Sequence, residues 1–129
     1  MSAAIRDDGP VATLWLVRHG ETEWSADGRH TSRTDLDLTS EGKTSARRLA
    51  DRLAGCVFAR VVTSPRQRAR RTAALAGYPE ADVLADLVEW DYGEDEGRTT
   101  AQIREDRPGW TVWADGPLGG ETAEDVRRR

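Results

Sequence analysis

Val11-Ala12-Thr13-Leu14-Trp15-Leu16-Val17-Arg18-His19-Gly20 is the stretch on which the fold of this 129-residue chain turns. Val11 to Val17 is mostly apolar, the composition of a short strand buried on both faces of a parallel sheet. The run stops abruptly at Arg18-His19-Gly20, which puts an imidazole and a guanidinium at the strand's C-terminal end. Sites in open α/β sheets lie at that end. Gly20 lets a substrate approach the backbone closely. Taken alone the triplet is weak, because a histidine after a strand is more often a satisfied structural residue.

Working outward, Thr22 to Asp37 is polar and reads as a loop beyond the strand. Thr39 is an N-cap for a helix from about Ser40 to Leu53, with Ala46, Leu49, Ala50 and Leu53 on one face and Gly55 ending it. Phe58 to Thr63 makes a second strand. Ser64-Pro65 then supplies an N-cap and a first-turn proline for a helix reaching about Ala76. Asp82 to Ala85 is a weaker third strand. Thr99 and Gln102 form a capping box for a short helix closed by Pro108, and Thr122 starts a last one. Alternating strands and helices predict a parallel sheet covered by helices. Residues 1–10 read as a flexible N-terminal tail and 11–129 as one domain.

Composition narrows the function. A net charge of -4 argues against a chain built to coat nucleic acid. Lys43 is the one lysine among 19 basic residues, a skew toward forked phosphate binders or a GC-rich genome. Cys56, the sole cysteine, reads as a small buried apolar side chain, and no zinc spacing exists. Met1 to Pro10 does not resemble a secretory signal, and no stretch has the apolar length to cross a bilayer. The expected location is the cytoplasm.

Four stretches in order carry a family resemblance: Leu16-Val17-Arg18-His19-Gly20-Glu21-Thr22-Glu23-Trp24; Asp35-Leu36-Asp37-Leu38-Thr39-Ser40-Glu41-Gly42; Ser64-Pro65-Arg66-Gln67-Arg68-Ala69 with Thr72-Ala73; and Leu87-Val88-Glu89-Trp90-Asp91-Tyr92-Gly93. Together they resemble the histidine phosphatase superfamily, which includes phosphoglycerate mutases, over nearly the whole chain from Thr13. The resemblance implies a three-layer α/β/α fold with a mainly parallel sheet flanked by helices.

It also implies roles. His19 matches the nucleophile, and nearby arginines would lower its pKa and keep a lone pair available. Arg18 and Arg68 present paired donors to phosphate oxygens. The helix start at Ser64-Pro65 directs free N–H groups toward the same phosphate. Glu89 matches the group that protonates the leaving alkoxide and later activates water, with burial beside Trp90 or the phosphate raising its pKa. Ser25 and Thr31 are weaker phosphate ligands. His30 reads as an exposed loop residue or pocket wall, and Arg66, Arg70 and Arg71 as surface or rim residues.

The family's second pocket histidine, which follows a late strand, has no counterpart, since His19 and His30 are the only histidines. A domain incomplete at its C-terminus is therefore expected, with apolar surface exposed beside the Val11 to Val17 strand. The stretches from Glu89 to Gly97, Trp110 to Gly116 and Gly120 to Thr122 look most like sedoheptulose-bisphosphatase-type sugar phosphatases, with Trp110 and Trp113 as pocket walls or core. The expected function is phosphomonoester hydrolysis of a small sugar phosphate through a phosphohistidine at His19. The alternatives are an impaired phosphate-binding remnant, a mutase-type isomerase and, against the net charge, a nucleic-acid binder. No cofactor or metal is expected. The partner is a small phosphorylated metabolite, nucleic acid and membrane are not partners, and a homo-oligomer is allowed.

Overall fold

A computed structural model describes residues 2–5 and 12–129 of the chain. Strand β1 (Ser2–Ile5) runs antiparallel to β2 (Ala12–Trp15), with Ser2 opposite Trp15 and Ile5 opposite Ala12. The expected tail is thus described only at Ser2–Ile5, as a strand; its other residues lie outside the described ones, as does Val11. β3 (Val62–Thr63) pairs parallel with β4 (Asp82–Val83). Helices α1 (Glu23–Ala26), α2 (Ser40–Leu53), α3 (Gln67–Leu75), α4 (Thr100–Asp106) and α5 (Ala123–Arg128) follow in chain order around these strands. Two 3₁₀ turns occupy Ala85–Leu87 and Gly93–Asp95. No helix among the described residues is long and apolar enough to cross a membrane.

The helices follow their local chemistry. The Thr39 hydroxyl accepts from the Gly42 N–H and starts α2 where the sequence places it. Reciprocal capping boxes start α4 (Thr99 with Gln102) and α5 (Thr122 with Asp125). A third, Thr22 with Ser25, makes α1, which interrupts the stretch read as loop. Ala46 and Leu53 of α2, Leu38 before it and Ala76 after α3 are buried. Trp90, Tyr92, Ile103 and Trp110 are the buried apolar residues of the C-terminal half.

The strand layer departs from expectation. β2 is shorter than Val11 to Val17, and Leu14, Trp15, Leu16 and Val17 are between 45% and 67% exposed rather than buried on both faces. β2 pairs with β1, β3 with β4, and no ladder joins the two pairs among the described residues. A strand lacking neighbours on one edge keeps its side chains and its backbone groups on that edge in contact with water. The exposed apolar surface expected beside this strand is present.

Candidate active site

The end of β2, the turn before α3 and the segment after the first 3₁₀ turn meet at a cleft of about 640 Å³, lined by Arg18, His19, Arg66, Arg68 and Glu89 among others. The sequence had singled out four of these for chemistry. Arg66, read as surface or rim, joins them; its Nε is buried without a hydrogen-bond partner among the described residues. Arg70 and Arg71 are exposed as expected.

His19 is half-buried, and its Nδ1 lies 2.7 Å from the Gly20 carbonyl oxygen. A carbonyl only accepts, so Nδ1 carries the proton and the neutral ring keeps its lone pair on Nε2. Burial lowers the pKa of His19 most. The Gly20 carbonyl opposes that shift, Arg68 and Arg18 add to it, and Glu89 weakly opposes it. The ring is therefore neutral at neutral pH.

Gly20 is explained by packing rather than by substrate access. A Cβ there would stand 2.6 Å from the Gly42 carbonyl oxygen, and a Cβ on Gly42 would collide with the backbone of Glu21. The Glu21 carbonyl accepts from the Thr39 N–H at 2.9 Å, which locks the segment after His19 onto the start of α2. The Gly20 N–H donates to Thr72 Oγ1 at 2.9 Å, and Thr72 donates to the Arg68 carbonyl at 2.7 Å. The segment carrying His19 is thereby tied to α2 and α3 together.

Arg68 is 2% exposed, and its guanidinium donates to the carbonyls of Thr34 (3.0 Å), Thr31 (3.2 Å) and Ser32 (3.3 Å). It organises the 31–34 loop at the same time as it lines the cleft. Helix α3 begins at Gln67, later than the Ser64-Pro65 reading, with Arg66 as N-cap. The Gln67 N–H donates to Asp35 Oδ1 at 2.9 Å, and the Gln67 side chain donates to the Asp35 carbonyl. Asp35 thus takes up one first-turn donor that had been assigned to phosphate.

Ser25 and Thr31 are not in the cleft lining. The Ser25 hydroxyl accepts from the Thr22 N–H (2.8 Å) and donates to the Thr22 carbonyl (3.1 Å), and Thr31 donates to the Arg29 carbonyl. Both are committed to local backbone. Glu89 is exposed, so the burial expected beside Trp90 is missing; its Oε1 accepts from the Trp90 N–H at 2.7 Å. His30 is half-buried, 3.2 Å from Thr100 Oγ1, with ring centroids 4.6 Å from Tyr92 and 5.4 Å from Trp110. It is a packing residue. Trp110 is core, whereas Trp113 is 76% exposed and meets the buried Trp90 edge to face.

The acidic stretch conceals positioning residues that the sequence reading missed. Glu96 accepts from the N–H groups of Ser32 (2.8 Å) and Thr34 (3.0 Å), and Ser32 Oγ donates to the Glu89 carbonyl at 2.7 Å. The carboxylate of Asp95, fully buried, pairs with Arg107 and Arg98 and accepts from the Leu118 N–H. Apart from Arg98, three residues beyond Asp95, the partners of Asp95 and Glu96 lie far along the chain, so local spacing does little to separate these two from their exposed neighbour Glu94.

A neutral histidine with one free ring nitrogen, flanked by arginines and a carboxylate at the end of a strand, sits here in an α/β, phosphoglycerate mutase-like fold. The chain belongs to the histidine phosphatase superfamily (branch 1), which it matches over residues 14–129. An acid phosphatase of Mycobacterium tuberculosis is 48% identical over 119 residues, covering 90% of this chain and 58% of that protein. The sedoheptulose 1,7-bisphosphatase of Saccharomyces cerevisiae is 37% identical over 143 residues, covering 88% of the chain and 51% of that enzyme. A solved structure of a Mycobacterium tuberculosis open reading frame has a TM-score of 0.78 at 45% identity, over 85% of this chain and 56% of that one. The chain spans between half and three-fifths of the length of these relatives.

Proposed function

We propose that the chain carries the nucleophilic half of a phosphomonoesterase acting on a small phosphorylated metabolite, a sugar phosphate being the favoured class. The observation that carries this reading is the Nδ1 to Gly20 carbonyl contact of 2.7 Å, which fixes the tautomer and leaves the Nε2 lone pair on a residue lining the cleft. Nε2 attacks phosphorus while the bond from phosphorus to the ester oxygen breaks. The leaving alkoxide takes a proton from Glu89. Water then attacks the phosphohistidine, the Glu89 carboxylate takes its proton, and inorganic phosphate leaves with His19 restored. Arg18 and Arg68 offset the charge on the nonbridging oxygens.

The names of the acid phosphatase and the sedoheptulose 1,7-bisphosphatase support hydrolysis and a sugar phosphate. Turnover of p-nitrophenyl phosphate and of a sugar bisphosphate, with EDTA present, tests the reading. Hydrolysis that vanishes in His19→Ala is the expected result. Equal turnover by both proteins would overturn the assignment of His19, and a folded chain that turns over neither substrate would reduce the site to phosphate binding.

A further inference from the structure

Ser32 is 2% exposed, and each of its polar groups is committed to a different partner. Its N–H donates to both carboxylate oxygens of Glu96 (2.8 and 3.0 Å), its carbonyl accepts from Arg68 Nη2 (3.3 Å), and its hydroxyl donates to the Glu89 carbonyl (2.7 Å). Residues 31–34 form neither helix nor strand, so side chains from elsewhere satisfy backbone groups that a ladder would otherwise pair. The Thr34 N–H also donates to Glu96, the Thr31 and Thr34 carbonyls accept from Arg68, and Arg33 pairs with Asp91, two residues beyond Glu89. Arg68 commits donors on both terminal nitrogens to this loop, which therefore fixes where its remaining N–H groups point. The same loop holds the backbone of Glu89, so the guanidinium and the carboxyl that line the cleft share one frame.

We propose that Ser32, set in place by Glu96, is a positioning residue that keeps Glu89 in register with the phosphate bound at Arg68. Ser32 itself touches neither the substrate nor the reacting atoms. The inference rests on the roles given to Arg68 and Glu89 under the proposed function, and adds the joint between them. Transfer of the phosphoryl group with a proton to the leaving oxygen needs the two groups at a set separation, and a misplacement of about 1 Å can cost about 100-fold. The consequence is selective. The alkoxide of a sugar needs the Glu89 proton as it leaves, whereas p-nitrophenolate delocalises its charge and needs little of it, so loss of the Ser32 hydroxyl falls mainly on the sugar substrate.

The test compares the chain with its Ser32→Ala variant in two ways. The first is kcat/KM on a sugar bisphosphate and on p-nitrophenyl phosphate; the ratio of the two should fall by about 10-fold or more in Ser32→Ala. Equal losses on both substrates, the mark of a merely structural role, would overturn the proposal, as would no loss. The second needs no turnover: at fixed pH, saturating inorganic phosphate should move the carboxyl carbon resonance of Glu89, and Ser32→Ala should reduce that movement by about half or more. A resonance that phosphate leaves unmoved in the parent, or moves equally in both proteins, would overturn the joint. A parent that turns over neither substrate but shows the reduced response in Ser32→Ala would leave the joint standing and sink the proposed function. Where Ser32→Ala fails to fold, Ser32→Cys, with a weaker donor on a side chain of similar size, should move the ratio and the resonance the same way by less; a Cys variant matching the parent in both would overturn the proposal.

Discussion

The loop that follows His19 and the strand layer of this molecule are built from adjacent residues yet held in opposite ways. From Gly20 onward, backbone groups are fixed by partners distant in sequence: Gly20 by Thr72, Glu21 by Thr39, Ser32 and Thr34 by Glu96, and the 31–34 carbonyls by Arg68. Immediately before Gly20, Leu14 to Val17 are half-exposed and border open clefts. The difference teaches that the geometry around His19 depends on hydrogen bonds from α2, α3 and the acidic stretch more than on burial of the strand that delivers it.

That contrast can be broken at several points. The largest stability loss should come from Asp95→Ala, about 3 kcal/mol by denaturant unfolding, because it leaves the partly buried Arg107 and the Leu118 N–H without their acceptor. If Arg68 binds phosphate as proposed, Arg68→Lys should lower kcat/KM by about 100-fold in any form of the protein that turns over, since an ammonium cannot serve both the loop carbonyls and a phosphate. Gly42→Ala should cost about 2 kcal/mol by thermal unfolding, through its collision with the Glu21 backbone.

Acid should act on the same half. Burial, the largest cause for both His19 and His30, holds each below its ordinary pKa of 6.5. The unfolded chain binds more protons below that pH, so stability is present above about pH 6.5 and declines as pH falls through the lowered native pKa values. The slope of stability against pH on the acid side should shrink in His30→Gln. The smallest effect should fall on the strand layer: Leu16→Thr should stay within about 0.5 kcal/mol of the parent, because its side chain is already in water. A loss of several times that would show that the strand is packed and the contrast false.

The sequence made the helices legible because their signals are local. Thr39, Thr99 and Thr122 each cap the helix that their spacing predicts. α1 was hidden because its cap pair, Thr22 and Ser25, spans one turn inside a polar run, and Ser25 had been given to phosphate instead. The strand from Val11 was legible in composition but not in environment. An apolar run reports what a complete sheet would bury, not whether the neighbours that bury it are present. Of the site, His19, Arg18, Arg68 and Glu89 came from the motifs and do share a cleft. Asp35, Asp95 and Glu96 did not, because their roles rest mainly on contacts between segments, which no local pattern records.

The central claim is that His19 accepts the phosphoryl group, and trapping the intermediate tests it most directly. The chain would be mixed with a radiolabelled sugar bisphosphate, denatured in alkali, where phosphoramidates survive, and digested for peptide mapping. Label on the peptide containing His19, lost on mild acid treatment and absent from His19→Ala, is the predicted result. Label that survives acid, maps elsewhere or persists in His19→Ala would contradict the account.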